Sequence, residues 1–210
     1  MTEPEQPFSD LEATLKRTAH ALRAADIPFL LGGSLASWAR GGPESRHDLD
    51  LMIREADAEP ALAALEAAGM RPEHPPEEWL VKAWDGDVLV DLIFSPKGLP
   101  IDDEVLARGE TMSVLAMEMR VMAIEDVVIT KLMALNEHAL RYESLLEIAR
   151  ALREQIDWGH VRSATASSPF ARAFFVLCEG LGIVPEQSAA TGGAQVRVIT
   201  GPGSEAQSRG

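Results

Sequence analysis

Cysteine is nearly missing from this chain of 210 residues: Cys178 is the only one, so neither an internal disulfide nor a cysteine-based zinc cluster can be built within one copy. It is expected as a small apolar residue on a late helix. Long apolar runs are missing as well, since none approaches the roughly 20 residues that cross a bilayer, and no membrane partner is expected. Segment 1–7 is acidic and lacks the basic and apolar stretches of a secretory signal, which gives a cytoplasmic expectation. Positive charge is scarce too, with 19 Lys and Arg against 33 Asp and Glu and a net charge of −14. That balance works against a long, sequence-independent grip on nucleic acid and leaves room only for a local basic cleft. There is no nucleophile elbow and no Walker-type lysine loop. His20, His74, His138 and His160 are scattered without ligand spacing, and His47 is expected to face away from the Asp48 side chain on a regular strand.

What is present is a hydrophobic content of 46%, enough for one good core or for a small α/β unit with a helical extension. Ser9-Asp10-Leu11-Glu12 has the form of a capping box, and Leu11, Leu15 and Leu22 recur at helical spacing, which predicts a first helix over 10–25. Residues 27–31 form a short apolar run ending at Gly32-Gly33, and 34–40 again has helical character: strand, glycine turn, helix. In 48–53, Leu49, Leu51 and Ile53 alternate with Asp48 and Asp50. An alanine-rich helix over 58–68 stops at Gly69. Two strands, 79–84 and 87–94, are expected about an Asp85-Gly86 turn, with Asp91 inside the second. A strand pair or edge strand is expected over 112–121. Helical spacing returns in 124–136, 142–155 and 170–181. The fold class is therefore α+β: a small mixed β-sheet with flanking helices over 1–121, a helical region over 122–186 and a disordered tail over 187–210.

The chemistry concentrates in carboxylates. Residues two apart on a strand share a side, so Asp48 and Asp50 converge while Leu49 and Leu51 anchor the other face. Two like charges held that close call for a cation between them. Asp91 adds a carboxylate within Val88-Leu89-Val90-Asp91-Leu92-Ile93-Phe94, where an ionised group is costly unless paired or metal-bound. Oxygen-only ligands suit Mg²⁺ or Mn²⁺, and a site with two such ions serves in-line phosphoryl transfer. Each fragment also has a plain reading. An Asp-x-Asp pair is usually a solvated strand face, Asp91 alone is a hydrogen-bonded structural acid, and Gly32-Gly33 alone is a turn. Lys131 shares the apolar stripe of its helix with Val127, Val128, Ala134 and Leu135, and either snorkels to water or reaches an anion in a cleft. Trp38 is expected in the core.

The order of these pieces resembles the DNA polymerase β-like nucleotidyltransferase superfamily, in its bacterial stand-alone, toxin-like or antibiotic-modifying members. The matching stretches are Phe29-Leu30-Leu31-Gly32-Gly33-Ser34, then His47-Asp48-Leu49-Asp50-Leu51-Met52-Ile53, then Val88 to Phe94. The resemblance implies that 1–121 is a nucleotidyltransferase core. It implies that Gly33 and Ser34 open a helix facing a nucleoside triphosphate, that Asp48, Asp50 and Asp91 hold Mg²⁺ or Mn²⁺ and carry the catalysis, and that Lys131 contacts the triphosphate. Exposed N–H groups at a helix start favour phosphate, in agreement with that assignment. The sequence departs from the family pattern in two places. The 13 residues between Ser34 and Asp48 make a long connection, and Arg46 stands where relatives carry a small hydroxyl residue. Arg46 is read as a phosphate contact or a solvated loop residue, and Arg141 and Tyr142 as acceptor-side or packing residues.

The implied activity is transfer of a nucleoside monophosphate from a nucleoside triphosphate such as ATP to an acceptor, with the base, the acceptor (tRNA, protein or small molecule) and the oligomeric state left open. The acidic balance leans away from tRNA. The competing reading is a non-catalytic nucleotide-binding or interaction module on the same fold. Three mutually repelling carboxylates argue against it, because such a module has no need of them.

Overall fold

The computed structural model describes residues 6–44 and 48–185. The expected tail, together with Arg46 and His47, lies outside the described residues. At the centre is a seven-stranded mixed sheet in the order β3-β4-β5-β2-β1-β7-β6. The strands are β1 (Leu30–Leu31), β2 (Leu49–Met52), β3 (Arg71–Glu73), β4 (Leu80–Asp85), β5 (Val88–Ile93), β6 (Glu110–Val114) and β7 (Met117–Val121). β2 runs parallel to β5, and β1 parallel to β7; the remaining neighbours are antiparallel.

The alternation read in the sequence sets the two faces of this sheet. Leu49, Leu51, Val90 and Leu92 are fully buried on one face. Helices α1 (Gln6–Ala24) and α3 (Ala58–Ala67) supply Leu11, Leu15, Leu22, Leu62 and Leu65 to the same core. Helix α1 starts at Gln6, ahead of the expected cap at Ser9. On the other side lie α2 (Gly33–Ala39) and α5 (Ile124–Ala134). Helix α2 is short because Gly41-Gly42-Pro43 ends it: Gly42 N–H returns to the Ser37 carbonyl at 2.8 Å and Gly41 N–H to that of Trp38 at 2.9 Å. Trp38 packs against the core.

After the sheet, α5 is followed by α6 (Tyr142–Leu152), α7 (Trp158–Ala164) and α8 (Pro169–Gly180). Helix α7 is capped by Asp157, whose carboxylate accepts from His160 N–H at 3.0 Å, and α8 by Ser168, whose hydroxyl accepts from Ala171 N–H at 3.2 Å. Phe174, Phe175 and Cys178 point inward from α8. A further helix, α4 (Asp103–Arg108), precedes β6. Its Arg108 grips the buried Asp126 of α5 through two hydrogen bonds, at 3.0 and 3.1 Å, tying the helix that carries Lys131 to the sheet half. Among the described residues, no helix is long and apolar enough to cross a membrane.

Candidate active site

Strand β2 places Asp50 in register with Asp91 of the parallel strand β5, and Asp91 is in turn opposite Lys82 of β4. Residues paired across strands point to the same face, so one rung of the sheet carries Glu73, Lys82, Asp91 and Asp50 in a row. The rung continues at Gly32, whose N–H donates to the Asp50 carbonyl at 2.8 Å. Lys82 Nζ donates to Asp91 Oδ1 at 3.1 Å. The apolar residues on either side of the two acids face the core, which leaves the acids on the open side of the sheet.

Gly33 is the hinge between β1 and α2. It adopts φ +56°, in the left-handed region that favours glycine, and a Cβ there would lie 1.7 Å from Asp50 Oδ2. The Asp50 carboxylate therefore sits hard against the start of α2, and only glycine leaves it room. Beside it, Lys131 Nζ on α5 donates to Ser34 Oγ at 3.1 Å. The stripe lysine thus turns inward to the cleft opened by Gly33, and does not snorkel to bulk water.

Burial and mutual repulsion raise both acids. The Asp50 carboxyl is pushed up to about 6, first by burial and then by the neighbouring Asp91 and Asp48 charges, with Lys131 and Lys82 pulling the other way. Asp91 is raised by burial and partly restored by Lys82. Burial lowers the Lys131 ammonium, and the Asp50 charge opposes that shift. Asp48 lies exposed just before β2, within electrostatic reach of both other acids. The structure thus brings Asp50 and Asp91 together with Asp48 at the margin. Among the described residues, no three or more His, Cys, Asp or Glu side chains are drawn into a closed metal cluster. The donor set nonetheless has the chemistry of a hard divalent ion, being all oxygen with members that repel one another, although the Lys82 ammonium occupies Asp91 and would have to yield to a metal there.

Lys131, Asp50 and Gly33 line one cleft of about 440 Å³, together with Met52, Trp79, Ile93, Lys97 and Thr130. Lys82, Trp79 and Lys97 did not emerge from the sequence as site residues. The available signal for Lys82 was a lysine inside an apolar strand whose hairpin partner carries an acid. Tyr142 is turned elsewhere: its hydroxyl donates to the Phe170 carbonyl at 2.9 Å and its ring packs 5.8 Å from that of Phe174. Arg141, at the start of α6, is exposed.

No curated protein matches the chain significantly. Among solved structures, the chain resembles ANT(2'')-Ia in complex with adenylyl-2''-tobramycin, at 17% identity and a TM-score of 0.57, over 78% of this chain and 98% of that one. It resembles the solution structure of the antibiotic-resistance factor ANT(2'')-Ia at 17% identity and a TM-score of 0.58, over 83% of this chain and 97% of that one. At these identities the likeness is one of fold. The family model described as an uncharacterised nucleotidyltransferase matches residues 9–179, most of the chain, and the protein belongs to that nucleotidyltransferase family.

Proposed function

We propose that the protein moves a nucleoside monophosphate from a nucleoside triphosphate, with ATP the expected donor, to an acceptor hydroxyl or amine, releasing pyrophosphate with the help of divalent metal. The observation that carries this reading is the meeting of Lys131 and Ser34 at 3.1 Å on the rim of the cleft that Asp50 lines. A lysine and a hydroxyl donor beside the start of a helix are the groups a polyphosphate needs. The paired acids behind them are the groups a hard cation needs.

In this reading Lys131 and Ser34 exchange their mutual hydrogen bond for triphosphate oxygens, and the first-turn N–H groups of α2 add further donors. Gly33, lacking a Cβ, lets the phosphates approach Asp50 closely. Asp48, Asp50 and Asp91 would hold Mg²⁺ or Mn²⁺, which when bound offsets charge on the phosphates and polarises the attacked phosphorus. Asp91, next to Lys82, takes the acceptor proton. Burial of Asp50 and Asp91 in a partly dry cleft strengthens each of these charge contacts.

The ANT(2'')-Ia structure carries an adenylylated antibiotic. That supports a small molecule as one acceptor class for this chain, and a net charge of −14 weighs against tRNA. The test is to incubate purified protein with each labelled triphosphate and Mg²⁺ or Mn²⁺, supplying pools of tRNA, protein and aminoglycosides in turn. Label entering one pool, and lost in Asp50→Asn, supports the transferase and names its acceptor class. Triphosphate binding with no transfer to any pool favours the binding-module alternative.

A further inference from the structure

Lys82 stands between two acids on the open face of the sheet. Strand β4 pairs it with Glu73 of β3 on one side and with Asp91 of β5 on the other, and residues paired across strands share a face. Its ammonium is on Asp91: Nζ donates to Oδ1 at 3.1 Å, and the two side chains keep only 20% and 15% of their surface exposed. That shelter makes the pair costly to break without a replacement, since an ionised Asp91 left alone would sit half-buried without a partner. The same ammonium stands in the way of a divalent ion, because two cations on one carboxylate repel each other.

Glu73 offers the lysine a second position. Cross-strand neighbours have Cβ atoms about 4.5 to 5.5 Å apart, well within the span of a lysine side chain. Both contacts to Glu73 fall on one oxygen: Trp84 Nε1 donates to Oε2 at 2.7 Å, and Arg71 Nη1 lies 3.8 Å from the same atom. Oε1 is left able to accept a lysine. The indole bond, with the Arg71 guanidinium 5.6 Å from the centroid of the Trp84 ring, holds the Glu73 carboxylate in place for it.

We propose that Lys82 is an exchangeable countercation: it holds Asp91 while the site is without a divalent ion, and it transfers to Glu73 when an ion takes Asp91. The inference rests on the metal reading above and adds a regulation of the same site. Lys82 satisfies Asp91 in the unloaded protein, and the transfer carries its charge to another acid in place of leaving it beside the ion. The exchange sets how tightly the acids hold a divalent ion by themselves.

Mn²⁺ without nucleotide is the probe, titrated by electron paramagnetic resonance into the full chain, Lys82→Met, Glu73→Gln and the double variant. Lys82→Met should bind Mn²⁺ about tenfold more tightly than the wild type, a gain that loosened folding cannot produce. Glu73→Gln should bind it about threefold more weakly, since Lys82 then has no second acid to move to, and that loss should disappear in the double variant, which has no lysine to move. An affinity of Lys82→Met no higher than that of the wild type overturns the proposal. An equal loss from Glu73→Gln in both backgrounds, the signature of bare charge removal, overturns it too. A nucleotide arm keeps the two levels apart. If adding a triphosphate does not tighten Mn²⁺ on the wild type, the metal and triphosphate reading fails; normal tightening with unaltered Lys82→Met affinity strikes only the role of Lys82.

Discussion

Lys131 and Ser34, 97 positions apart in the chain, meet at 3.1 Å where α5 crosses the start of α2. This contact joins the sheet half to the helical half where, in the proposed function, a triphosphate takes donors from both. Lys131→Met keeps length and apolar character while removing the charge. Triphosphate affinity should fall roughly tenfold to a hundredfold, the worth of a charge-assisted contact of about 1.5 to 3 kcal/mol, while the melting temperature holds or rises. Calorimetric titration and a thermal melt check both halves of the statement. Normal affinity with a lowered melting temperature would make Lys131 a structural residue.

Gly33→Ala strains two things at once, the left-handed backbone and the space filled by the Asp50 carboxylate. The backbone alone costs about 1 kcal/mol or more, and displacement of Asp50 adds to it. Stability should drop by about 2 kcal/mol in denaturant unfolding, and transfer activity should drop much further than stability accounts for. A variant with wild-type activity would show that the close approach of Asp50 to α2 has no part in the reaction.

Asp50 also makes stability depend on pH. Its carboxyl is raised from 3.8 to about 6, so the native state holds this proton more tightly than the unfolded chain does. Stability in the presence of a chelator should therefore fall as pH rises from about 4 to about 6, by at most on the order of 3 kcal/mol. Asp50→Asn should flatten that slope, leaving the part that the raised Asp91 contributes, and make the protein more stable than the wild type above about pH 6. Denaturant midpoints measured across this window test it; parallel curves for the two proteins would contradict it.

Arg108 supplies both hydrogen bonds that satisfy the buried Asp126 carboxylate. Arg108→Ala should cost about 2 to 3 kcal/mol, because a buried acceptor loses its partner. Since Asp126 lies on α5 one turn and more before Lys131, triphosphate affinity should weaken as well. Arg108→Lys, which keeps one donor and the charge, should restore part of both.

Much of this site was legible in the sequence because strand alternation carries it. Leu49 and Leu51 on one face and Asp50 on the other follow from the period of two, and Gly32-Gly33-Ser34 announces the turn into α2. Lys82 escaped for a definable reason. The expected hairpin turn was Asp85-Gly86, but the loop is Gly86-Asp87, with Gly86 at φ +61° in the first central position and Asp85 paired with Val88. A turn misplaced by one residue shifts the register by two, which sets Leu80 opposite Asp91 and hides the ion pair. The β6–β7 turn is harder still: Leu115 and Ala116 take φ +48° and +61°, conformations that neither residue type signals. Strand β3, at three residues, is too short to show a period, and α4 and α7 are marked only by the caps Asp102 and Asp157. The cleft wall at Lys97 arises from tertiary packing of the loop after β5 on α5, which no local pattern encodes.

Whether Asp48, Asp50 and Asp91 act as one metal and triphosphate site, as proposed, is tested most directly by Mn²⁺ titration followed by electron paramagnetic resonance. Lys82 occupies Asp91 and the three acids are not drawn into a closed cluster, so Mn²⁺ alone should bind weakly. Adding a nucleoside triphosphate should tighten Mn²⁺ binding to the protein well beyond that of the nucleotide itself. That gain should vanish in Asp48→Asn, Asp50→Asn and Asp91→Asn alike. A gain that survives in Asp91→Asn, or no gain in the wild type, would contradict the account.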